Sequence, residues 1–68
     1  MTSMTDKALE HLTNKIDEKV LQLQEALADD NVKDFMEYKK TCGEVKGLLT
    51  ARIYITDLQQ RLRENDDE

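Results

Sequence analysis

A single polar break, Asp29-Asp30-Asn31, divides a proline-free chain into two runs with helical spacing. In the first run Leu9, Leu12, Ile16, Val20, Leu23 and Leu27 recur at intervals of three and four residues. They form one apolar stripe, with Glu10, Asn14, Asp17, Gln22 and Glu25 largely outside it. The spacing predicts an amphipathic helix over about residues 4–28, opened by Ser3 or Thr5 and by the capping-box-like Ser3-x-x-Asp6. The break is rich in N-cap residues, and Asn31 followed by Asp34 reads as a second helix start. A link this short folds the second helix back antiparallel to the first. The expected fold is all-α: an antiparallel hairpin of two long helices, assembling into a helical bundle. One domain covers residues 1–68, with a helix at about 4–28, a turn at about 29–31, a helix at about 32–64 and a frayed acidic tail at 65–68.

The second run is apolar around most of its circumference. Phe35, Tyr38, Cys42, Val45, Leu49 and Ile53 share one side. Met36, Gly43, Gly47, Ala51, Tyr54 and Leu58 share another, and Leu48, Ile55 and Leu62 fall between them. Only a strip around Lys39, Lys46, Thr50 and Asp57 is plainly polar. A helix of this kind is buried on more than one side. Pairing through the short turn sets Leu27 near Phe35, Val20 near Cys42, Leu12 near Leu49 and Leu9 near Ile53, which uses the first side. The side carrying Met36, Gly43, Gly47, Ala51, Tyr54 and Leu58 then has no partner within the chain. It is the candidate interaction surface, and its expected occupant is a second copy or a foreign helix.

Gly43, Gly47 and Ala51 sit four residues apart on that side. Glycine inside a helix costs roughly 1 kcal/mol relative to alanine. Two on one stripe suggest close approach of another backbone; the other reading is a break at Gly43 that splits residues 32–64 into two helices.

Size sharpens the need for a partner. At 68 residues the core is thin, and chains this short ordinarily need a staple, a metal or an assembly. Cys42 is the only cysteine and His11 the only histidine, so neither an internal disulfide nor a cysteine–histidine metal cluster can form. Cys42 reads as a small core residue and His11, opposite the first stripe, as a solvated one. Glu44 sits between the two apolar sides of the second run and Arg52 borders the same region; each either pairs across an interface or snorkels to solvent. Asp17/Glu18 and Asp6/Glu10 read as a solvated face.

Net charge is −5, divided as −4 over residues 1–30, +3 over residues 33–63 and −4 over residues 64–68. The halves attract, in keeping with antiparallel pairing. The acidity gives no support for nucleic-acid binding, which needs clustered Lys and Arg. No apolar run approaches the ~18 residues of a membrane span, and the N-terminus lacks the pattern of a signal peptide. With no phosphate-cradling loop and no nucleophile–base pair, the expectation is a non-enzymatic protein without cofactor or metal, soluble and intracellular.

Phe35-Met-Glu-Tyr38, Cys42-Gly-Glu-Val-Lys-Gly47-Leu48, Ile55-x-Asp57-Leu58-x-x-Arg61-Leu62 and an acidic end follow one another in the second half. In this order of Tyr, Cys-Gly, Gly-Leu and Asp-Leu-x-x-Arg-Leu the chain resembles small proteins of tailed bacteriophages, of about this length, that carry no assigned activity. The resemblance covers about the C-terminal half. It implies a phage-encoded protein acting in the cytoplasm of the infected bacterium or in the particle. Two functions are carried forward. One is a small virion structural or assembly component that associates with itself and with phage structural proteins. The other is an inhibitor or adaptor that docks on a host protein.

Overall fold

The structure, a computed structural model, describes residues 4–29 and 33–66. It consists of α1 (Met4–Ala28) and α2 (Phe35–Asp66), packed against each other as an all-α hairpin. There is no strand among the described residues. The molecule is a rod of 52 × 15 × 12 Å, as expected for two side-by-side helices of about 37 and 48 Å. α2 is one continuous helix through Gly43 and Gly47, so the break at Gly43 does not occur.

α2 starts later than the sequence pattern suggests. Its N-cap is Asp34, whose Oδ1 accepts a hydrogen bond from the Glu37 backbone N–H at 2.8 Å. The first helical turn closes with Tyr38 N–H donating to the Asp34 carbonyl at 3.0 Å. Glu37 reaches back, its Oε2 accepting from the Lys33 N–H at 3.2 Å. A cap of this kind is worth about 1 kcal/mol. Asn31, the expected cap, and Val32, the expected first helical residue, lie outside the described residues, as does Ser3. The helix also runs further than expected, through Asn65 to Asp66, while Asp67 and Glu68 lie outside the described residues.

The face that α1 turns to α2 follows a strict alternation of three and four: Asp6, Leu9, Thr13, Ile16, Val20, Leu23 and Leu27 are all buried or half-buried. The expected stripe needs one correction. Leu12 is exposed and Thr13 takes its place, because the 3-4 alternation from Leu9 to Ile16 passes through position 13. The buried Thr13 hydroxyl is satisfied by donating to the Leu9 carbonyl at 3.0 Å.

The matching face of α2 is Thr41, Val45, Leu48, Arg52, Ile55, Gln59 and Leu62, flanked by half-buried Cys42, Ala51 and Thr56. This is the larger correction. Leu48, Ile55 and Leu62, assigned to the gap between two apolar sides, face α1; Phe35, Tyr38, Leu49 and Ile53, assigned to the seam, are exposed.

Two things differ: α2 is turned about its axis, so that Leu48, Ile55 and Leu62 take the seam in place of Leu49 and Ile53, and it is displaced along it, which exposes Phe35 and Tyr38. Arg52 Nε donates to Asp17 Oδ1 at 2.7 Å, and its Nη2 reaches Asp17 Oδ2 at 3.4 Å. With those two residues level and 1.5 Å per residue, Leu27 stands level with Cys42, Val20 with Leu49 and its neighbour Leu48, and Thr13 with Thr56. Val20 had been expected opposite Cys42, so α2 is displaced by seven residues, about 10 Å. A seven-residue slip keeps both 3-4 stripes in phase. It moves Ala28 level with Thr41 and leaves residues 35–40 projecting past the end of α1. Phe35, Met36 and Tyr38 are exposed because α1 has ended before reaching them.

The register has a direct chemical test. Leu27→Cys should form a disulfide with the native Cys42 within one chain, whereas Val20→Cys should not, since its Cα would lie about 10 Å along the axis from that of Cys42. Electrophoresis without reductant after mild oxidation separates the two; an internal bridge in Val20→Cys would contradict the register.

Candidate interaction surface

The surface begins from a shortage of burial. Val20, 8% exposed, is the only buried hydrophobic side chain among the described residues. Ten large apolar side chains are exposed there, seven of them on α2: Phe35, Met36, Tyr38, Leu49, Ile53, Tyr54 and Leu58. The hairpin seam covers one stripe of each helix and little else.

Five of the six residues of the expected surface, Met36, Gly43, Gly47, Tyr54 and Leu58, are exposed on the side of α2 turned away from α1, and Ala51 borders the seam. Met36 is 81% exposed, Tyr54 70% and Leu58 44%. Gly43 and Gly47 are exposed, and Ala51, at the edge of the seam, is half-buried. Together they form a strip about 33 Å long from Met36 to Leu58. Within it the two glycines are open notches. A Cβ built on either would meet nothing within 4 Å. Neither close packing inside this chain nor unusual backbone geometry calls for glycine at these places.

Sequence reasoning missed two parts of the exposed surface. Leu12 is exposed and stands level with Leu58, extending the apolar strip onto α1. The signal was the 3-4 alternation, which excludes Leu12 from the seam. The other part is the projecting tip. There the Phe35 and Tyr38 rings stack with centroids 6.4 Å apart and planes at 21°, and Lys39 Nζ lies 5.7 Å from the Phe35 ring centroid. Its signal was Asp34-x-x-Glu37, a cap-and-return pattern that starts the helix three residues after Asn31.

Two ion pairs order charged side chains among the described residues. Arg52, expected at the edge of the interaction surface, instead lies in the seam. Its hydrogen bond to Asp17, and then the carboxylate's charge, raise the guanidinium pKa above its usual value. Asp17, read as part of a solvated face, is therefore the cross-helix partner. Arg61 Nε pairs with Asp57 Oδ2 at 3.1 Å along α2. His11 and Glu44 are exposed and Cys42 is half-buried. Among the described residues no cluster of His, Cys, Asp or Glu is suited to holding a metal ion, and no helix is long and apolar enough to cross a membrane.

No family model, curated protein or solved structure matches this chain.

Because nothing in the single chain opposes a Cβ at Gly43, Gly43→Ala should raise helix stability by about 0.5–1 kcal/mol in dilute, unassociated chains, through the lower backbone entropy of the unfolded state. Urea unfolding monitored by circular dichroism at one fixed protein concentration would read this as a higher midpoint. A fall of similar size would mean that the notch is already filled by something a methyl group displaces.

Proposed function

We propose that this is a non-enzymatic bacteriophage protein that acts by helix–helix contact, as a small structural or assembly component of the particle. The observation that carries the contact part is the exposed apolar side of α2, left over after a hairpin that buries one hydrophobic side chain among the described residues. Chains of this size that fold stably do so with more burial or with help. The phage part rests on the sequence resemblance over the second half. On this reading the protein associates with itself and with other particle proteins, needs no cofactor, and is found in the host cytoplasm and in the particle.

The projecting tip favours a second reading, an inhibitor or adaptor that docks on a host protein. Phe35, Met36 and Tyr38 with Lys39 beside them offer aromatic anchors and a cation on one exposed end, the kind of residues that dominate binding energy at protein interfaces.

Mass spectrometry of purified particles separates the readings. A structural component should be present at a fixed copy number per particle. Complete absence from particles, with expression in infected cells, would overturn the first reading in favour of the second.

A further inference from the structure

The outward side of α2 has a size pattern that is its own complement. Gly43 and Leu58 are equidistant from the midpoint between Thr50 and Ala51, and so are Gly47 and Tyr54. All four lie on the same side of one continuous helix, the glycines in its first half and the large side chains in its second. We propose that a second copy of this chain docks there with the two α2 helices antiparallel, about a two-fold axis that passes between Thr50 and Ala51. Leu58 of each copy then fills the notch at Gly43 of the other, and Tyr54 fills the notch at Gly47.

Three observations carry the pairing. The notches are empty in the single chain, since a Cβ at either glycine meets nothing within 4 Å. The fillers are available, with Tyr54 and Leu58 exposed. The third is area. A folded monomer of 7.9 kDa has an accessible surface of about 4,400 Å² by size scaling. This chain exposes 5733 Å², an excess of roughly 1,300 Å², and a standard interface removes about 800 Å² from each partner.

A two-fold contact also requires a patch that is complementary to itself. Antiparallel pairing meets that requirement with bulk against notch on both halves. Parallel pairing in register sets Gly43 against Gly43 and Tyr54 against Tyr54, leaving a hole at one end and a collision at the other. At the axis, the Thr50 hydroxyl is already donated to the Lys46 carbonyl at 2.9 Å, so no unmet donor is brought into the contact. Lys40 of one copy approaches Arg61 of the other, and the Arg61 charge is offset by its 3.1 Å pair with Asp57.

The pairing rests on the helix-contact reading above and can fail separately from it. The test uses single cysteines in the full chain with Cys42→Ser, together with light scattering. Thr50→Cys and Met36→Cys are both at exposed positions. Across the proposed axis two Thr50 positions are nearly level, whereas two Met36 positions are ~43 Å apart along the rod. Under mild oxidation Thr50→Cys should convert to disulfide-linked dimer at least ten times faster than Met36→Cys, in a protein whose mass is a multiple of two chains. Comparable rates would mean a parallel contact, no crosslink in a dimer would mean a different face, and a single-chain mass at ~100 μM would mean no self-contact. Each of these overturns the proposal and leaves the particle-composition test unaffected.

Discussion

The Asp17–Arg52 ion pair lies where the two helical stripes come into phase, and the layout of the rest of the molecule follows from that level. An exposed ion pair of this kind adds little stability by itself. Its importance is geometric. Heptad-like stripes can be set against each other at intervals of seven residues, and Arg52 in the α2 stripe paired with Asp17 beside the α1 stripe marks one of those settings. The setting chosen puts Val20 beside Leu48, ends α1 opposite Thr41 and carries the start of α2 out beyond it. From this come the projecting aromatic tip and an α2 that meets α1 along one narrow seam.

That seam is thin because the stripes themselves are mixed. Asp6 and Thr13 occupy two positions on α1, and Thr41, Arg52 and Gln59 occupy three on α2. The apolar residues that would thicken a core stand elsewhere, at Leu12 and Leu21 on α1 and at Leu49, Ile53, Tyr54 and Leu58 on α2. Polar groups inside a seam favour one register over others while contributing little burial. Apolar groups outside it contribute burial only when another surface arrives. The chain thus divides the two tasks, with specificity within the hairpin and most of the remaining apolar area on its outside.

The existence, order and direction of the helices were legible because they rest on local signals. These were the 3-4 spacing from Leu9 to Leu27, the Asp29-Asp30-Asn31 break and the absence of proline. The register was not legible, because a seven-residue slip leaves every stripe position in phase and alters only which partners meet. The setting found goes with Asp34 capping α2, which lengthens the link, and with the Asp17–Arg52 pair between residues 35 positions apart. The faces of α2 were ambiguous for a related reason. A helix apolar nearly all round has no single stripe, so Leu48, Ile55 and Leu62 could be told from Phe35, Tyr38, Leu49 and Ile53 only once α1 was in place. The surface of Met36, Gly43, Gly47, Ala51, Tyr54 and Leu58 was found by subtraction. Its exposed members remain uncovered in the hairpin even though the subtraction used a different seam.

The central claim is that this hairpin depends for its stability on a surface supplied from outside the single chain. Thermal unfolding of the purified protein across a hundredfold range of concentration tests it most directly. Folding coupled to association makes the midpoint rise with concentration, by mass action, and makes helix content fall on dilution. The account predicts both for the protein alone. A cooperative transition whose midpoint is the same from about 1 to 100 μM, with full helix content at the lowest concentration, would contradict it by showing that the thin seam is sufficient.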